Sequence, residues 1–245
     1  MKKSNWLILM LFAVAAAGLR VWQGLSGFDE AGLAIRGSLP GILLPAVLAL
    51  AAAYFILSAR SLPARGTARG LTETFRFEGA SSACAVTGAF LILVGAAASV
   101  MSGGRSTQTL LLAVFAMAAA VCLLYAAFAL YRGNEVQGVA LLVPVCCLVV
   151  YLVFLYRADA SDPVLARIYV EILAAALLTV GSLELAAFAY RAGSPRVYVP
   201  VNALAVILAV TAAAERQSLA SLLLFTGCAL IALGFLAAED IGQQT

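Results

Sequence analysis

The sequence predicts an all-α fold, a polytopic bundle of about eight transmembrane helices in a single membrane domain. Of the 245 residues, 64% are hydrophobic and only 11% are charged, and the mean hydropathy is +1.05. A soluble domain carries about 25% charged residues. Apolar runs of about 20 residues, the length that crosses ~30 Å of hydrocarbon, recur from end to end. These runs are apolar on every face, unlike the alternating strands of a membrane barrel, so we expect helices.

Eight apolar runs define the predicted spans. The first follows Lys2 and Lys3 and continues towards Trp22. Its start is typical of a signal peptide, but its length favours an uncleaved first span. The other predicted spans cover residues 41–57, 84–101, 110–131, 139–156, 168–190, 197–213 and 219–238. The longest non-apolar stretch, residues 59–82, is predicted to be a polar connection.

The basic residues predict the orientation in a bacterial inner (cell) membrane. Nine of the fifteen Lys and Arg residues fall on the side of the N-terminus, which places both termini in the cytoplasm. The net charge of +3, without a basic stripe, does not indicate a nucleic-acid partner. The expected partners are the lipid bilayer and either other membrane proteins or further copies of this chain.

An internal repeat is a further prediction. The second and sixth spans both end in aromatic residues followed by Arg, Pro and Arg. This pattern predicts two four-span halves, 1–136 and 137–245, related by an axis along the membrane normal. Sequences rich in Ala and Leu also resemble one another by chance, which is the alternative explanation.

The residue types present exclude several kinds of chemistry. Histidine is absent, which excludes His-based triads and His-ligated metal sites. Lysine occurs only at Lys2 and Lys3, which excludes a buried Schiff-base lysine. The five cysteines lie in apolar segments without metal-ligand spacing, so we interpret them as small apolar side chains. No cofactor and no metal site is predicted.

The span 168–190 carries the only two carboxylates inside an apolar run, Glu171 and Glu184. Thirteen residues separate them, or about 20 Å along a helix, so they are not a catalytic pair and no catalytic residue is predicted. Glu171 lies four residues after Arg167. It is either an interfacial ion pair with that arginine or a ligand- or proton-binding group.

Glu184 and Asn202, on the next span, are predicted to lie at similar depth in the membrane. Glu184 lies six residues before the end of its helix and Asn202 six residues after the start of the next, so each is about 9 Å from its helix end. Asn202 would then donate to the Glu184 carboxyl. One interpretation is a proton- or cation-binding site, and the other is a structural hydrogen bond between helices that approach closely at Gly181 and Ser182. A row of small residues is predicted to form a close-packing face: Ala175, Thr179, Ser182 and Ala186.

The fifth and sixth spans resemble an uncharacterised family of bacterial multipass membrane proteins. The residues that carry the resemblance are FLYR at 154–157, DPVL at 162–165, Tyr169, Glu171, ELAAF at 184–188 with the basic turn after it, and GFDEAGL at 27–33. The resemblance implies a location in the cell membrane and implies no activity.

Three function classes follow. The first is a non-enzymatic assembly or regulatory component, which the lack of a catalytic constellation favours. The second is a small-solute or proton-coupled transporter, or its membrane subunit, with Glu184 and Asn202 at its site. The third is a lipid-modifying enzyme that would use Glu184, or a metal held by loop acids: Asp29, Glu30, Asp159 and Asp162.

Overall fold

The structure, a computed structural model, describes residues 3–28, 35, 37–62, 70–102, 106–159, 165–215 and 218–239, with the backbone alone at 3–4, 158–159 and 165–167. The described residues form nine helices: α1 (Lys3–Ser26), α2 (Leu39–Ala59), α3 (Leu71–Thr74), α4 (Gly79–Ser102), α5 (Thr107–Tyr131), α6 (Gly138–Asp159), α7 (Leu165–Ala189), α8 (Pro195–Ala213) and α9 (Leu219–Ala237). All except α3 are long and apolar enough to cross a membrane. The predicted all-α, eight-span bundle is therefore confirmed.

The ends of the helices follow local sequence signals. Helix α8 begins at Pro195, where a proline lacks only an N–H that the first turn would leave unpaired. Helix α4 begins at Gly79, five residues before the predicted start, because the Glu78 N–H donates to the Ser81 hydroxyl at 2.9 Å. The first residues of α4 are small or polar, so the hydropathy pattern does not indicate that the helix begins here. Helix α7 ends at Ala189. Arg191, two residues later, has a φ of 56°, and the Ala192 N–H donates to the Ala187 carbonyl at 2.9 Å, which caps the helix.

Six helices form a closed ring. Around it, α4 packs on α5, α5 on α6, α6 on α7, α7 on α8, α8 on α9, and α9 returns to α4. Helices α1 and α2 lie outside the ring as a pair, and both contact α8. Helix α8 is consequently the most buried span, with 72% of its apolar window covered. The ring has two ends: the mouth end, where α4 ends and α5 and α9 begin, and the closed end, where α5 ends and α8 begins.

Glycines close the ring at the α4–α9 contact. A Cβ atom added to Gly88 would lie 2.6 Å from the Gly227 carbonyl oxygen, and one added to Gly227 would lie 2.6 Å from the Gly88 oxygen. Each helix makes a second close contact seven residues further along. Gly95 of α4 packs against Leu224, and Gly234 of α9 packs against the Ser81 carbonyl. The backbones therefore touch, which is the approach that small residues permit between membrane helices.

The outward faces are apolar and exposed. Leu7, Val14, Leu50 and Phe90 expose 61% or more of their surface. Large exposed apolar surface marks contact with a partner or a membrane. Together with the eight apolar helices, it identifies the chain as a multipass membrane protein.

Helices from both predicted halves, 1–136 and 137–245, contribute to the ring. Helices α4 and α5 of the first half complete the ring with α6 to α9 of the second, while α1 and α2 stand apart from it. The symmetry relation between the halves stays a prediction. The loop acids Asp29, Glu30 and Asp162, and the Arg167 side chain, lie outside the described part of the chain, and Asp159 is described by its backbone alone.

Replacing Gly88 or Gly227 by alanine should destabilise the protein by about 1–3 kcal/mol, because each new methyl group would meet backbone that cannot move aside. The measurement is thermal unfolding in detergent. Gly18→Ala in α1 is the matched control, since nothing lies within 4 Å of its added Cβ, and it should be neutral or slightly stabilising. Equal melting temperatures for the Gly88 and Gly18 variants would contradict the close contact.

Candidate functional site

A large cavity lies among five helices of the ring and reaches the mouth end. Its volume is about 520 Å³, inside the range of about 300–1,000 Å³ found for small-molecule sites. The described lining comes from α4, α5, α6, α7 and α9, and most of it is apolar. Its larger members include Ile92, Leu112, Phe115, Leu148, Leu178 and Phe225. We call this space the ring cavity.

Hydroxyl groups surround the mouth of the ring cavity. They are Ser99, Ser102, Thr109, Ser218 and Ser221. Their clustering follows from the fold, because α4 ends and α5 and α9 begin at this end, and serine is a favoured residue at helix starts. The Ser218 hydroxyl caps α9 by accepting the Ser221 N–H at 3.1 Å. Ser106 does the same for α5 by accepting the Thr109 N–H at 3.1 Å.

A smaller cavity lies below the ring cavity on the ring axis. Its volume is about 40 Å³, room for about three water molecules. Ser182 and Asn202 are polar members of its lining, and Tyr198 also contributes. The two cavities share one layer of lining residues: Ile92, Leu123, Leu148, Leu178 and Cys228. This shared layer separates the ring cavity from the smaller space, whose mostly apolar lining includes Asn202 and Ser182.

Aromatic side chains fill the closed end. Phe75 lies 5.3 Å from Phe188, 5.2 Å from Tyr198 and 6.3 Å from Phe235, measured between ring centroids. Phe77 lies 5.0 Å from Phe235. Phe75 and Phe77 belong to the stretch that the sequence predicts to be a polar connection. Their burial at 1% and 6% exposure is a correction to that prediction for residues 70–78, since two phenylalanines among charged residues give too weak a hydropathy signal.

The chain end anchors this aromatic cluster. Glu239 forms an antiparallel bridge with Phe75, and the Arg76 N–H donates to the Ala238 carbonyl at 2.7 Å. The Glu239 carboxyl is 7% exposed, and neither of its oxygens has a hydrogen-bond partner among the described residues. It interacts electrostatically with the buried Tyr198 hydroxyl. Burial raises the pKa of Glu239 to about 7.

Glu184, the main predicted site residue, lies beside the start of α8. Its carboxylate accepts the Ser194 N–H at 3.3 Å, where Ser194 is the residue that precedes the helix. A carboxylate at this position satisfies an N–H that the helix leaves unpaired and complements the helix dipole. Glu184 is not among the described residues that line either cavity. Its contact supports a structural role, and its ligand- or proton-binding role stays a prediction.

Asn202 lies on the ring axis, with a partner other than the one expected. Its amide nitrogen donates to the Tyr198 carbonyl at 3.0 Å, one turn earlier on α8, rather than to Glu184. A Cβ added to Gly181 would lie 2.7 Å from the Asn202 oxygen, so the amide packs directly on the α7 backbone. The small-residue row only partly forms a packing face, because Ala175 lines the ring cavity and Ser182 lines the small one.

Glu171 lies towards the mouth end of α7 and is 5% exposed. Because the Arg167 side chain lies outside the described part of the chain, both roles of Glu171, the ion pair with Arg167 and the ligand- or proton-binding group, stay predictions. Near the same end, Arg20 of α1 pairs with Glu215 at 2.6 Å, and its exposure is 2%. Arg20 also donates to Gln23 at 2.9 Å and lies 5.8 Å from the centre of the Tyr169 ring. The sequence analysis did not predict this contact between α1 and the end of α8. The signal that could have indicated it is Arg20 itself, a charged residue inside an apolar span.

The described side chains include no group of three or more Cys, Asp or Glu placed to hold a metal ion. The five cysteines are free thiols. Cys147 and Cys228 line the ring cavity, where they add polarisable apolar surface.

Removing the Glu184 side chain should weaken the α7–α8 turn. Glu184→Ala leaves the Ser194 N–H without its acceptor and should lower the free energy of unfolding by about 1 kcal/mol. Glu184→Gln keeps an acceptor oxygen and should cost less. Unfolding in detergent measures both variants. A larger loss for the Gln variant would contradict the capping role.

The raised pKa of Glu239 predicts a pH-dependent stability. Because its ordinary value is 4.5 and the folded value is about 7, folding favours the protonated form, and the folded state loses stability as pH rises between these values. The loss should reach at most about 3 kcal/mol. Glu239→Gln should flatten this part of the melting-temperature curve between pH 5 and pH 8. Parallel curves for wild type and variant would argue against a buried, titrating Glu239.

Comparison with known proteins leaves the site to be interpreted from its own geometry. No protein-family model, curated protein or solved structure matches the chain. The family resemblance of the fifth and sixth spans stays a prediction.

Proposed function

We propose that this chain is a non-enzymatic component of a bacterial cell membrane that binds a lipophilic molecule in the ring cavity. The observation that carries the proposal is the cavity itself, about 520 Å³ of mostly apolar space with a ring of hydroxyls at its mouth. A mostly apolar pocket with a few converging polar groups is the usual form of a small-molecule site. With both termini in the cytoplasm, the mouth faces the outer side of the membrane.

The composition of the lining supports binding over chemistry. Most of the lining consists of alkyl groups, phenyl rings and serine or threonine hydroxyls, together with Cys147, Cys228 and Tyr151, and these groups hold a ligand by packing and hydrogen bonding. Acid–base catalysis would require a titrating group within hydrogen-bond reach of the reacting atoms. Glu184 is engaged at the start of α8, and Arg20 and Glu215 pair with each other. A lipophile held in the ring would act on assembly or regulation by stabilising one arrangement of the helices.

The transporter alternative is favoured by one observation, the position of Asn202. This residue and Ser182 put polar atoms on the ring axis directly below the apolar cavity. A solute that used them would have to pass Tyr198 and the aromatic cluster, whose ring centroids lie 5–6 Å apart. Transport would therefore need the stretch 70–78 to move, whereas ligand binding needs no such movement.

Filling the ring cavity tests the proposal. Ala116→Trp places an indole ring in the cavity and should reduce the fraction of protein that carries a bound lipophile by about tenfold, or about 1.4 kcal/mol. Val114→Trp, two residues away and 55% exposed on the outer face, is the matched control. Native mass spectrometry of protein purified from membranes measures the bound mass. An equal bound fraction in wild type, variant and control would sink the proposal.

A further inference from the structure

The volume of the ring cavity limits the size of its ligand. A dry cavity of about 150 Å³ binds one benzene molecule, which has six carbons. Scaled to the 520 Å³ of the ring cavity, this gives room for roughly 20 carbon atoms. Two chains of a phospholipid would need about twice that volume.

The depth of the ring cavity gives a second limit. On α5 the lining runs from Thr109 at the mouth to Leu123 at the shared layer, which is about 21 Å of helix. On α4 it runs from Ser102 to Ile92, about 15 Å. An extended chain advances about 1.2 Å per bond, by analogy with the protein backbone, so about 12–17 bonds span the cavity. Depth and volume therefore agree on one chain.

The base of the ring cavity explains why the chain would stop there. Beyond the shared layer lie Asn202 and Ser182, in a space of about 40 Å³. An apolar chain end that entered it would offer these polar groups no hydrogen bond, and burying polar groups against hydrocarbon costs free energy.

The described hydroxyls of the mouth are uncharged groups that can donate and accept hydrogen bonds. The Ser218 and Ser221 hydroxyls lie 2.9 Å apart, so one donates to the other and one O–H is left to donate. Ser106 and Thr109 form the same arrangement at 2.8 Å. Ser102 donates to the Ala98 carbonyl and keeps its lone pairs. An alcohol, ester or amide headgroup matches this set of donors and acceptors.

We infer that the ring cavity binds a single hydrocarbon chain of about 12–20 carbons, with an uncharged hydrogen-bonding group at its head, such as a hydroxyl or an ester, placed at the hydroxyls of the mouth. This inference rests on the proposed function and specifies its ligand. The chain belongs either to a single-chain amphiphile or to one arm of a two-chain lipid, since both present the same chemistry to the cavity.

The test is photolabelling of the full chain in phosphatidylcholine nanodiscs. The probes are straight-chain alcohols of about 8, 16 and 24 carbons with a terminal diazirine, and a phosphatidylcholine with a diazirine on one arm. Peptide mapping reads the labels on the inward-facing Leu112, Ala116 and Leu148 against the outward-facing Val114. The 16-carbon alcohol or the phospholipid arm should label the inward positions about tenfold more than the 8- and 24-carbon alcohols. Whichever of the two labels them identifies the source of the chain.

Variants at the mouth test the headgroup contact. Thr109→Val with Ser221→Ala removes two hydroxyls and leaves the helix caps, which use the Ser106 and Ser218 oxygens. Inward labelling by the 16-carbon alcohol should fall about tenfold, in line with two lost hydrogen bonds. Ser58→Ala is the control, because among the described residues this hydroxyl donates to the Phe55 carbonyl of its own helix and lies outside the lining of the ring cavity, and labelling should not change.

The outcomes separate the inference from the function on which it rests. Equal inward labelling at all chain lengths overturns the inferred ligand and leaves a lipophile site in place. The same holds if an unlabelled fatty-acid anion lowers inward labelling by the 16-carbon probe more than an unlabelled alcohol of the same length does. Labelling confined to outward positions with every probe overturns both the inference and the proposed function.

Discussion

The contact between α4 and α9 is the constraint on which the rest of the structure depends. Within a bilayer, helices gain little from hiding apolar surface, because the lipid is as apolar as they are. Close packing has to hold them together, and at Gly88 and Gly227 the backbones themselves are in contact. This contact joins the last helix of the ring to the first. Once the ring is closed, the wider separation of the other helices leaves the ring cavity along its axis.

The two ends of the ring differ for reasons that lie in local sequence. Serines at helix ends surround the mouth because they cap helices there. At the other end, phenylalanines from a short polar-looking stretch turn inward and meet Tyr198 and the bridge at Glu239. Among the described residues, the result is a cavity whose lining reaches the mouth end and stops short of the aromatic cluster. Such a shape suits a protein that holds a molecule from the membrane.

Polar residues inside the bundle serve mainly as joints between elements. Arg20 and Glu215 connect α1 to the end of α8, and Glu184 joins the end of α7 to the start of α8. Removing one partner of a buried ion pair leaves the other charge buried without a counter-charge, which destabilises the protein. The intact pair itself contributes little net stability. An ionisable residue in a membrane span is by default a functional candidate. In this protein the neutral hydroxyls and the apolar wall form the candidate site, while the contacts of Arg20 with Glu215 and of Glu184 with Ser194 connect the helices that frame it.

The sequence by itself determined the fold class, the eight spans and their approximate ends, because hydropathy acts on each segment independently of its neighbours. It also placed Asn202 at a helix contact. It did not identify the ring, the contact at Gly88, or the burial of Phe75. These depend on which helices become neighbours, and a segment that is apolar on every face carries no periodic signal of which face packs. Only the tertiary structure therefore decided which side chains line a cavity and which meet lipid.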